Sequence, residues 1–343
     1  VSTRLAPGDT LYRHALDALW TDVVERNMYI TGGIGSSAHN EGFTADYDLP
    51  NATAYCETCA SVGMVLWSLR MNQLTADARY INTLERTLYN ALLAGINLRG
   101  DRFFYVNPLS SDGSHHRQEW YGCACCPSNL SRFLPSLGGY VWAMSQSAVW
   151  VNLYIGNHLA TDASDGIEAD IDMQTSYPYD GRVHITVNTT LRQKTINLRI
   201  PQWCEQYTVK VNGKNQELRP LQRGYLPITR RWKAGDIVDI EFYMPVRISA
   251  ADSRVEADRG MRAIERGPLV YCAEAADNTA DPGQMTLTPR LHFDISPTDI
   301  GGIHLSAITA TDTAHHTSFT LIPYFAWDNR TPGPMRVWLQ WRE

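Results

Sequence analysis

The hydrophobic pattern divides the chain into two parts with different periods. Before about residue 140, apolar residues recur every three or four positions, which predicts amphipathic helices. The first predicted helix has an apolar face formed by Ala15, Leu16, Leu19, Trp20, Val23 and Val24. Further helices are predicted over 59–74, over about 75–90 and from Pro127 onwards. The helix predicted over 59–74 is apolar nearly all round, which predicts that it is buried.

After about residue 140, apolar and polar residues alternate in short runs, which predicts β-strands. Val183, Ile185 and Val187 fall on one face of such a run, and the dipeptide Asn212-Gly213 predicts a tight hairpin turn. Short strands with regularly spaced turns are typical of a β-sandwich. We therefore expect a multidomain α + β protein with a helical part, a β-sandwich domain and a second β-sandwich-like domain. The predicted domains are 1–141, 142–247 and 248–343.

Charge and composition narrow the classes of partner. The 343 residues carry a net charge of -6 and include no long basic run, which argues against nucleic acid as a partner. No apolar run reaches the roughly 18 residues that a membrane span needs, so we expect no membrane contact. The 10 Trp and 17 Tyr would suit a sugar-binding cleft, although core packing accounts for most aromatic residues in proteins.

A long segment rich in Gly, Ser, Asn, Asp and Pro runs over 31–57, between the first two predicted helices. Long ordered loops in compact domains are often functional. Glu41 lies in the middle of this loop, with Asp46 and Asp48 close by. A loop glutamate is usually only solvated, but this loop leads directly into a pair of cysteines. Glu41 is therefore a candidate catalytic acid.

Five of the seven cysteines cluster in the helical part, at Cys56, Cys59, Cys123, Cys125 and Cys126. Clustered cysteines in a chain of this length indicate metal binding or chemistry rather than a disulfide scaffold. Their spacing permits an all-cysteine zinc site, and Glu57 between the first two is also an acceptable ligand. Glu57 and Cys59 would point to nearly opposite sides of a regular helix. If both bind one ion, they must lie on an irregular turn that leads into the helix.

The adjacent cysteines lie where a helix is predicted to begin. Pro127 suits the first position of a helix, which makes Cys126 the candidate N-cap. A helix N-terminus favours anionic groups, so Cys125 and Cys126 are placed to be thiolates, and a thiolate can be a ligand, a nucleophile or both. Three interpretations remain open: a structural zinc clip, a catalytic thiolate and buried free cysteines.

Three further residues have open assignments. Glu85 lies beside the apolar stripe of the third predicted helix, where it either pairs with a neighbour such as Arg86 or faces a cleft. His115 and His116 could bind metal, but adjacent histidines in a polar segment are more often ordinary loop residues.

Six segments together carry a resemblance to a known family: YITGGIGSSAHNEGF, YCETCASVGMVLWSLRM, LERTLYNALLAG, FFYVNPL, CACCPSN and RGPLVYCAE. They resemble glycoside hydrolase family 127, whose founding activity is that of a β-L-arabinofuranosidase. The resemblance implies an (α/α)6 barrel followed by C-terminal β-sandwiches. A complete barrel needs twelve helices and about four precede the strands here. We therefore expect the chain to be a C-terminal fragment with an incomplete barrel.

The resemblance also implies residue roles. It implies a retaining glycosidase with Zn²⁺ as cofactor, Cys125 as the nucleophile and Glu41 as the general acid/base. The implied zinc ligands are Glu57, Cys59, Cys125 and Cys126, with Cys56 and Cys123 outside the metal sphere. Glu85 and Tyr105 are implied to line the sugar site.

The implied substrate is an oligosaccharide or glycoconjugate that carries β-L-arabinofuranose. Two alternatives remain: a related glycosidase for another L-configured or branched plant sugar, and a non-catalytic, zinc-clipped carbohydrate-binding protein or inactive fragment. A homodimer is left open. Zinc-bound free thiolates favour a reducing cytoplasm as the location.

Overall fold

The fold combines few helices with many strands. It is seen in a computed structural model that describes residues 10–161, 169–191, 194–312 and 317–343. The helices are α1 (Thr10–Arg26), α2 (Thr58–Thr75), α3 (Ala78–Thr87), α4 (Cys125–Phe133) and α5 (Gly138–Val141). A π-helical turn (Leu88–Leu92) extends α3, and 3-10 turns lie at Leu134–Ser136, Glu256–Asp258, Ala275–Asp277, Pro282–Gln284 and Tyr324–Ala326. No helix within these ranges combines the length and the apolar character that crossing a membrane requires.

The strands, apart from a two-residue strand at 110–111, all follow the helices, as the change of period predicts. They are β1 (Ser110–Ser111), β2 (Trp142–Met144), β3 (Ala148–Val151), β4 (Asn157–Thr161), β5 (Ala169–Thr175), β6 (Arg182–Val187), β7 (Lys194–Arg199), β8 (Tyr207–Val211), β9 (Lys214–Asn215), β10 (Tyr225–Arg230), β11 (Asp236–Phe242), β12 (Val246–Ser249), β13 (Met261–Arg266), β14 (Leu269–Glu274), β15 (Thr286–Leu287), β16 (His292–Ile300), β17 (Ile303–Asp312), β18 (Thr317–Pro323), β19 (Met335–Arg336) and β20 (Leu339–Trp341).

The middle of the chain forms two sheets, with strand orders β10-β7-β3-β2 and β4-β5-β6-β11-β8-β9. Val183, Ile185 and Val187 are buried on one face of β6, as their alternation predicts. The predicted hairpin turn is also confirmed, because Asn212 and Gly213 join β8 to β9 with φ angles of 51° and 73°. Positive φ at both central residues is the geometry that tight hairpins favour.

The last part of the chain forms a larger sheet that reaches back to the helical part. Its order is β15-β20-β13-β14-β18-β17-β16, with β12 added at β13. Strand β19 pairs with both β14 and β1, and the Val337 N–H donates to the Leu109 carbonyl at 3.0 Å. The C-terminal segment therefore fixes the backbone immediately after the loop that carries Tyr105.

Two predicted helix starts are wrong by a few residues. The third helix begins at Ala78 rather than near Thr75, because the Asp77 side chain caps it by accepting from the Arg79 N–H at 2.9 Å. The fourth begins at Cys125, so the residue expected as N-cap, Cys126, lies inside its first turn. Proline is tolerated throughout that turn, since the N–H groups there have no partner within the helix.

The first helix is buried on a narrower face than predicted. Trp20 and Val23 are buried, and they form a small hydrophobic cluster with Met64, Met71 and Tyr80. Leu19, by contrast, is 57% exposed, although it lies on the predicted apolar face.

Candidate active site

Two helices begin at the same place in the fold, and their first turns supply a cluster of thiols. Glu57 is the N-cap residue of α2 and Cys59 lies in its first turn, while Cys125 and Cys126 are the first two residues of α4. The four side chains bring one carboxylate oxygen and three sulfurs within 4.8 Å of one another. We call these four residues the thiol cluster.

An irregular turn before α2 makes this convergence possible. Cys56 has a φ of 37°, in the left-handed region, and Glu57 has a ψ of 137°, which is extended rather than helical. The buried Cys56 is held from two sides. Its carbonyl accepts from Asn107 Nδ2 at 2.8 Å, and a Cβ added to Gly33 would lie 2.9 Å from its sulfur. Glu57 and Cys59 therefore reach the same point, as the spacing argument requires.

The distances within the thiol cluster suit one tetrahedral ion. The Cys59 and Cys126 sulfurs are 3.3 Å apart, and those of Cys125 and Cys126 are 3.9 Å apart. Glu57 Oε1 lies 3.6 Å from each sulfur of the adjacent pair. With Zn–S bonds of about 2.3 Å, tetrahedral geometry separates two sulfurs by about 3.8 Å. Three thiols and one carboxylate also form a donor set that favours zinc over magnesium or calcium.

The electrostatics of the thiol cluster also favour a bound cation. Burial raises the pKa of Cys59 to about 12 and raises that of Cys126 well above its usual value. Among the described residues, Glu57 forms no ion pair with a lysine or arginine. The positive ends of two helix dipoles face the cluster, but they supply only partial charge. A bound cation would favour the ionised thiols that burial disfavours.

Two tyrosines connect the thiol cluster to Glu41. The Tyr105 hydroxyl lies 3.2 Å from the Cys125 sulfur, and this contact, followed by burial, raises the pKa of Tyr105. The Tyr55 ring lies 6.3 Å from that of Tyr105, and the Tyr55 hydroxyl donates to Glu41 Oε1 at 3.1 Å. Glu41 is exposed at a tight turn with a φ of 47°. The structure thus brings Glu41, Tyr105 and the four thiol-cluster residues to one region.

The backbone of Tyr105 is fixed independently of its side chain. Its N–H donates to the Tyr121 hydroxyl at 3.1 Å, and its carbonyl accepts from the Thr58 N–H at 3.0 Å. Thr58 is the first residue of α2, so the start of that helix and the Tyr105 loop hold each other in place.

The structure does not bring Glu85 to this region. Its carboxylate is 2% exposed and pairs with the fully buried Arg199 guanidinium of β7. It also accepts from the Tyr177 hydroxyl at 2.7 Å. The neighbour considered as its partner, Arg86, instead pairs with Glu265 at 2.7 Å. Glu85 therefore joins the helical part to the middle of the chain.

The remaining candidates also lie outside the thiol cluster. His115 Nε2 contacts the Val106 carbonyl at 2.9 Å, and His116 Nδ1 pairs with Asp328 at 2.8 Å, so both are loop residues engaged elsewhere. Cys123 is an exposed free thiol and Cys56 a buried one.

Two residues at the site were not predicted from the sequence. Tyr55, which holds Glu41, has no local pattern that marks it. Asn129 Nδ2 donates to the Cys59 sulfur at 3.0 Å. Asn129 follows Cys125 by four residues on α4 and so shares its face, a spacing that could have identified it.

Three models of one family match consecutive parts of the chain. Residues 4–139 match the beta-L-arabinofuranosidase GH127 catalytic domain, 148–244 the GH127 middle domain and 246–340 the glycoside hydrolase family 127 C-terminal domain. The chain belongs to glycoside hydrolase family 127. This family membership confirms the resemblance that the six sequence segments carry.

Individual family members are similar over nearly the whole chain. A non-reducing end beta-L-arabinofuranosidase of Bifidobacterium longum subsp. longum is 35% identical, and the alignment covers 93% of this chain and 54% of that protein. The solved structure of a GH127 beta-arabinofuranosidase is 41% identical with a TM-score of 0.92, covering 98% of this chain and 57% of that one.

A second structure, Ara127N-Se, a GH127 beta-L-arabinofuranosidase from Geobacillus stearothermophilus T6, is 38% identical with a TM-score of 0.91. The alignment with this second structure covers 98% of this chain and 57% of that one. The chain thus spans about half the length of the relatives it matches.

Proposed function

We propose that the protein carrying this chain is a retaining glycoside hydrolase that releases L-arabinofuranose from β-L-arabinofuranosides. The observation that carries the proposal is the thiol cluster, connected to an exposed glutamate through two tyrosines. The names of the family relatives support L-arabinofuranose as the sugar that is released. In this proposal the helical part belongs to an (α/α)6 barrel and the two later parts are β-sandwiches, with the boundaries 1–141, 142–247 and 248–343.

The proposed cofactor is Zn²⁺, held by Glu57, Cys59, Cys125 and Cys126. When bound, zinc would keep the buried thiols ionised and hold them in place. Asn129 supports this role because its amide N–H already donates to the Cys59 sulfur and would stabilise negative charge there.

A retaining mechanism needs a nucleophile and an acid on opposite sides of the glycosidic bond. Cys125 would attack the anomeric carbon, forming a C–S bond as the C–O bond to the leaving group breaks. Glu41 would give its proton to the departing oxygen. In the second step, Glu41 would take a proton from water as the water oxygen displaces the Cys125 sulfur from the same carbon. The products are free arabinose and the original thiolate.

The two tyrosines have supporting roles in this mechanism. Tyr55 would hold the Glu41 carboxylate in position, since its hydroxyl donates directly to Oε1. Tyr105 would line the sugar site beside the nucleophile. Glu85 has no sugar contact in this proposal, because the Arg199 guanidinium and the Tyr177 hydroxyl already occupy its carboxylate.

The test is covalent labelling with an epoxide of β-L-arabinofuranose configuration, followed by peptide mass spectrometry on zinc-containing protein. We expect the adduct on Cys125, and we expect Cys123→Ser to label like the parent. An adduct on another residue, or none on zinc-loaded protein, would overturn the assignment of the nucleophile.

The main alternative, a structural zinc clip, predicts a different response to Glu41→Gln. A glycosidase should lose about 10²- to 10⁴-fold in turnover while keeping its zinc, which is the usual contribution of a general acid/base. A protein with a purely structural zinc site would show no hydrolysis with or without the Glu41→Gln substitution. It would bind zinc equally well in both forms. Turnover on a panel of chromogenic L-glycosides separates the alternative sugars.

A further inference from the structure

The outer face of the six-stranded sheet is organised in rows of polar side chains. One row, running across β8, β11 and β6, consists of Thr208, Glu241 and Arg182, which are directly opposite one another in register. Residues two positions along a strand share a face. A second row therefore lies beside the first and consists of Lys210, Asp239, His184 and Gln174, across β8, β11, β6 and β5.

These rows line two adjoining grooves of about 630 and 600 Å³. The grooves share Asp180, Arg182, Thr208 and Glu241, so they form one continuous depression. Neighbouring strands lie about 4.8 Å apart, so the depression extends about 14 Å across four strands, enough for a short oligosaccharide. It shares no residue with the thiol cluster or with Glu41.

Three tyrosines line one end of the depression: Tyr179, Tyr207 and Tyr243. Tyr243 follows Glu241 by two residues and is 61% exposed. Within the described parts of the chain, none of the three hydroxyls makes a hydrogen bond to another residue. An aromatic ring with a free hydroxyl offers an apolar face together with a polar edge. Tyr243 is the exposed ring of the three and lies on the polar face of the sheet, whereas Tyr179 and Tyr207 are half-buried and pack against the core.

The charge of the depression indicates what kind of ligand it suits. Its acidic residues are Asp180, Asp239 and Glu241, and its basic residues are Arg182, Lys210 and Arg266. Three charges of each sign cancel, so the depression attracts neither polyanions nor polycations. Both hydrogen-bond donors and acceptors are nevertheless present along it. Apolar ring faces and mixed polar groups without net charge match a neutral sugar chain.

We infer that this depression, which we call the sheet groove, is a second carbohydrate-binding site that holds a neutral oligosaccharide or polysaccharide chain. Tyr243 stacks on a sugar ring at one end, and the two polar rows bind hydroxyl groups along the chain. The inference goes beyond the proposed function, because it concerns binding at a site that takes no part in bond cleavage.

The test is native affinity electrophoresis of the protein carrying this chain, in gels that contain soluble arabinan, arabinoxylan or polygalacturonate. Glu41→Gln serves as the background, so that the polymers are not cut. We expect retardation by at least one neutral polymer and weaker retardation by the anionic one. Tyr243→Ala and Glu241→Ala should each weaken binding about fivefold or more, as loss of a stacking or central polar contact does.

Tyr12→Ala is the matched control, because it removes a tyrosine of similar exposure from α1, where it should not affect binding. Unchanged zinc content and melting temperature would show that the groove variants remain folded. The inference is overturned by an absence of retardation in both neutral gels, by equal or stronger retardation in polygalacturonate, or by normal binding of both groove variants. None of these results depends on hydrolysis, so the proposed glycosidase activity is judged separately.

Discussion

Two regions of the helical part each contain a carboxylate surrounded by polar groups, and they differ in what balances its charge. Glu85 has a buried arginine and a tyrosine hydroxyl. Burial alone would lower the pKa of Arg199, but the neighbouring Glu85 outweighs this and raises it above its usual value. Glu57 has three thiols around it and, among the residues that the structure describes, no basic side chain.

This difference distinguishes a fully paired structural acid from a proposed metal ligand. A buried carboxylate that is fully paired has no remaining capacity for a substrate or an ion. A carboxylate grouped with weak acids is stable only if a cation joins them or if protons remain bound. The comparison therefore favours the proposed ion binding at Glu57 and its neighbouring thiols, and it favours a structural role for Glu85 between the helical part and β7.

The largest expected effect is that of Cys125→Ser. Loss of the thiolate should reduce hydrolysis of a chromogenic β-L-arabinofuranoside by about 10⁴-fold or more, as removal of a nucleophile does in other covalent mechanisms. Cys123→Ser, which changes an exposed thiol two residues away, should leave the initial rate unchanged. A loss of less than 10²-fold in the first variant would end the assignment of chemistry to the thiol cluster.

Replacement of Glu85 should affect stability strongly. Glu85→Ala leaves the Arg199 charge buried without its partner, so we expect the free energy of unfolding to fall by about 3–5 kcal/mol in urea titrations. Glu119→Ala, which removes an exposed partner of Arg102, should cost less than about 1 kcal/mol. Similar losses in the two variants would contradict the distinction drawn between the two carboxylates.

A smaller effect is expected at Asn129, whose Nδ2 donates to the sulfur of Cys59, a proposed zinc ligand, and whose Oδ1 accepts from Arg132. Asn129→Ala should weaken zinc affinity about 10- to 100-fold in competition with a chromogenic chelator, because the Cys59 sulfur loses its hydrogen-bond donor. Ser131→Ala, on the same helix, is the control and should bind zinc normally. Equal affinity in all three proteins would show that the Asn129 contact has no influence on the metal.

Asp258 is a further carboxylate, and its contribution to stability depends on pH. It is buried, it accepts from Asn51 Nδ2 at 2.6 Å, and it has no basic partner among the described residues. Burial raises its pKa to about 6. Because the unfolded chain releases this proton first, the stability that Asp258 contributes is complete below about pH 4 and declines as pH rises to 6, by about 2 kcal/mol.

Asp258→Asn should remove this decline. Unfolding titrations at pH 4 and pH 7 would show a smaller difference between the two pH values in the variant than in the parent protein. An unchanged difference would show that Asp258 is not the group responsible.

Sequence reasoning succeeded where the deciding interactions are local. The change of period located the helices and strands, and the irregular turn expected before α2 if Glu57 and Cys59 bind one ion is present. The start of α4 was misplaced by two residues, because a proline in the first turn does not identify its own position within that turn.

Most of the interactions that were not predicted join distant segments. Glu85 pairs with a residue 114 positions later, and nothing near Glu85 in the sequence indicates a buried arginine in a strand. The same holds for β1, a two-residue strand whose partner among the described residues is β19, with Ser110 and Arg336 226 positions apart. Tyr55 is an intermediate case: it is close to Glu41 in sequence, but a folded loop is needed to bring the hydroxyl to the carboxylate.

The pairing of β1 with β19 has a consequence for the order of events during synthesis. Ser110 and Arg336 are 226 residues apart, so this contact cannot form until Arg336 has left the ribosome. Strand β1 follows the Tyr105 loop, which helps to enclose the thiols. Until translation reaches β19, the backbone after that loop lacks this additional contact, and the cysteines of the nascent chain are less protected from oxidants and from competing metal ions. A reducing environment or an early supply of zinc would protect them during this interval.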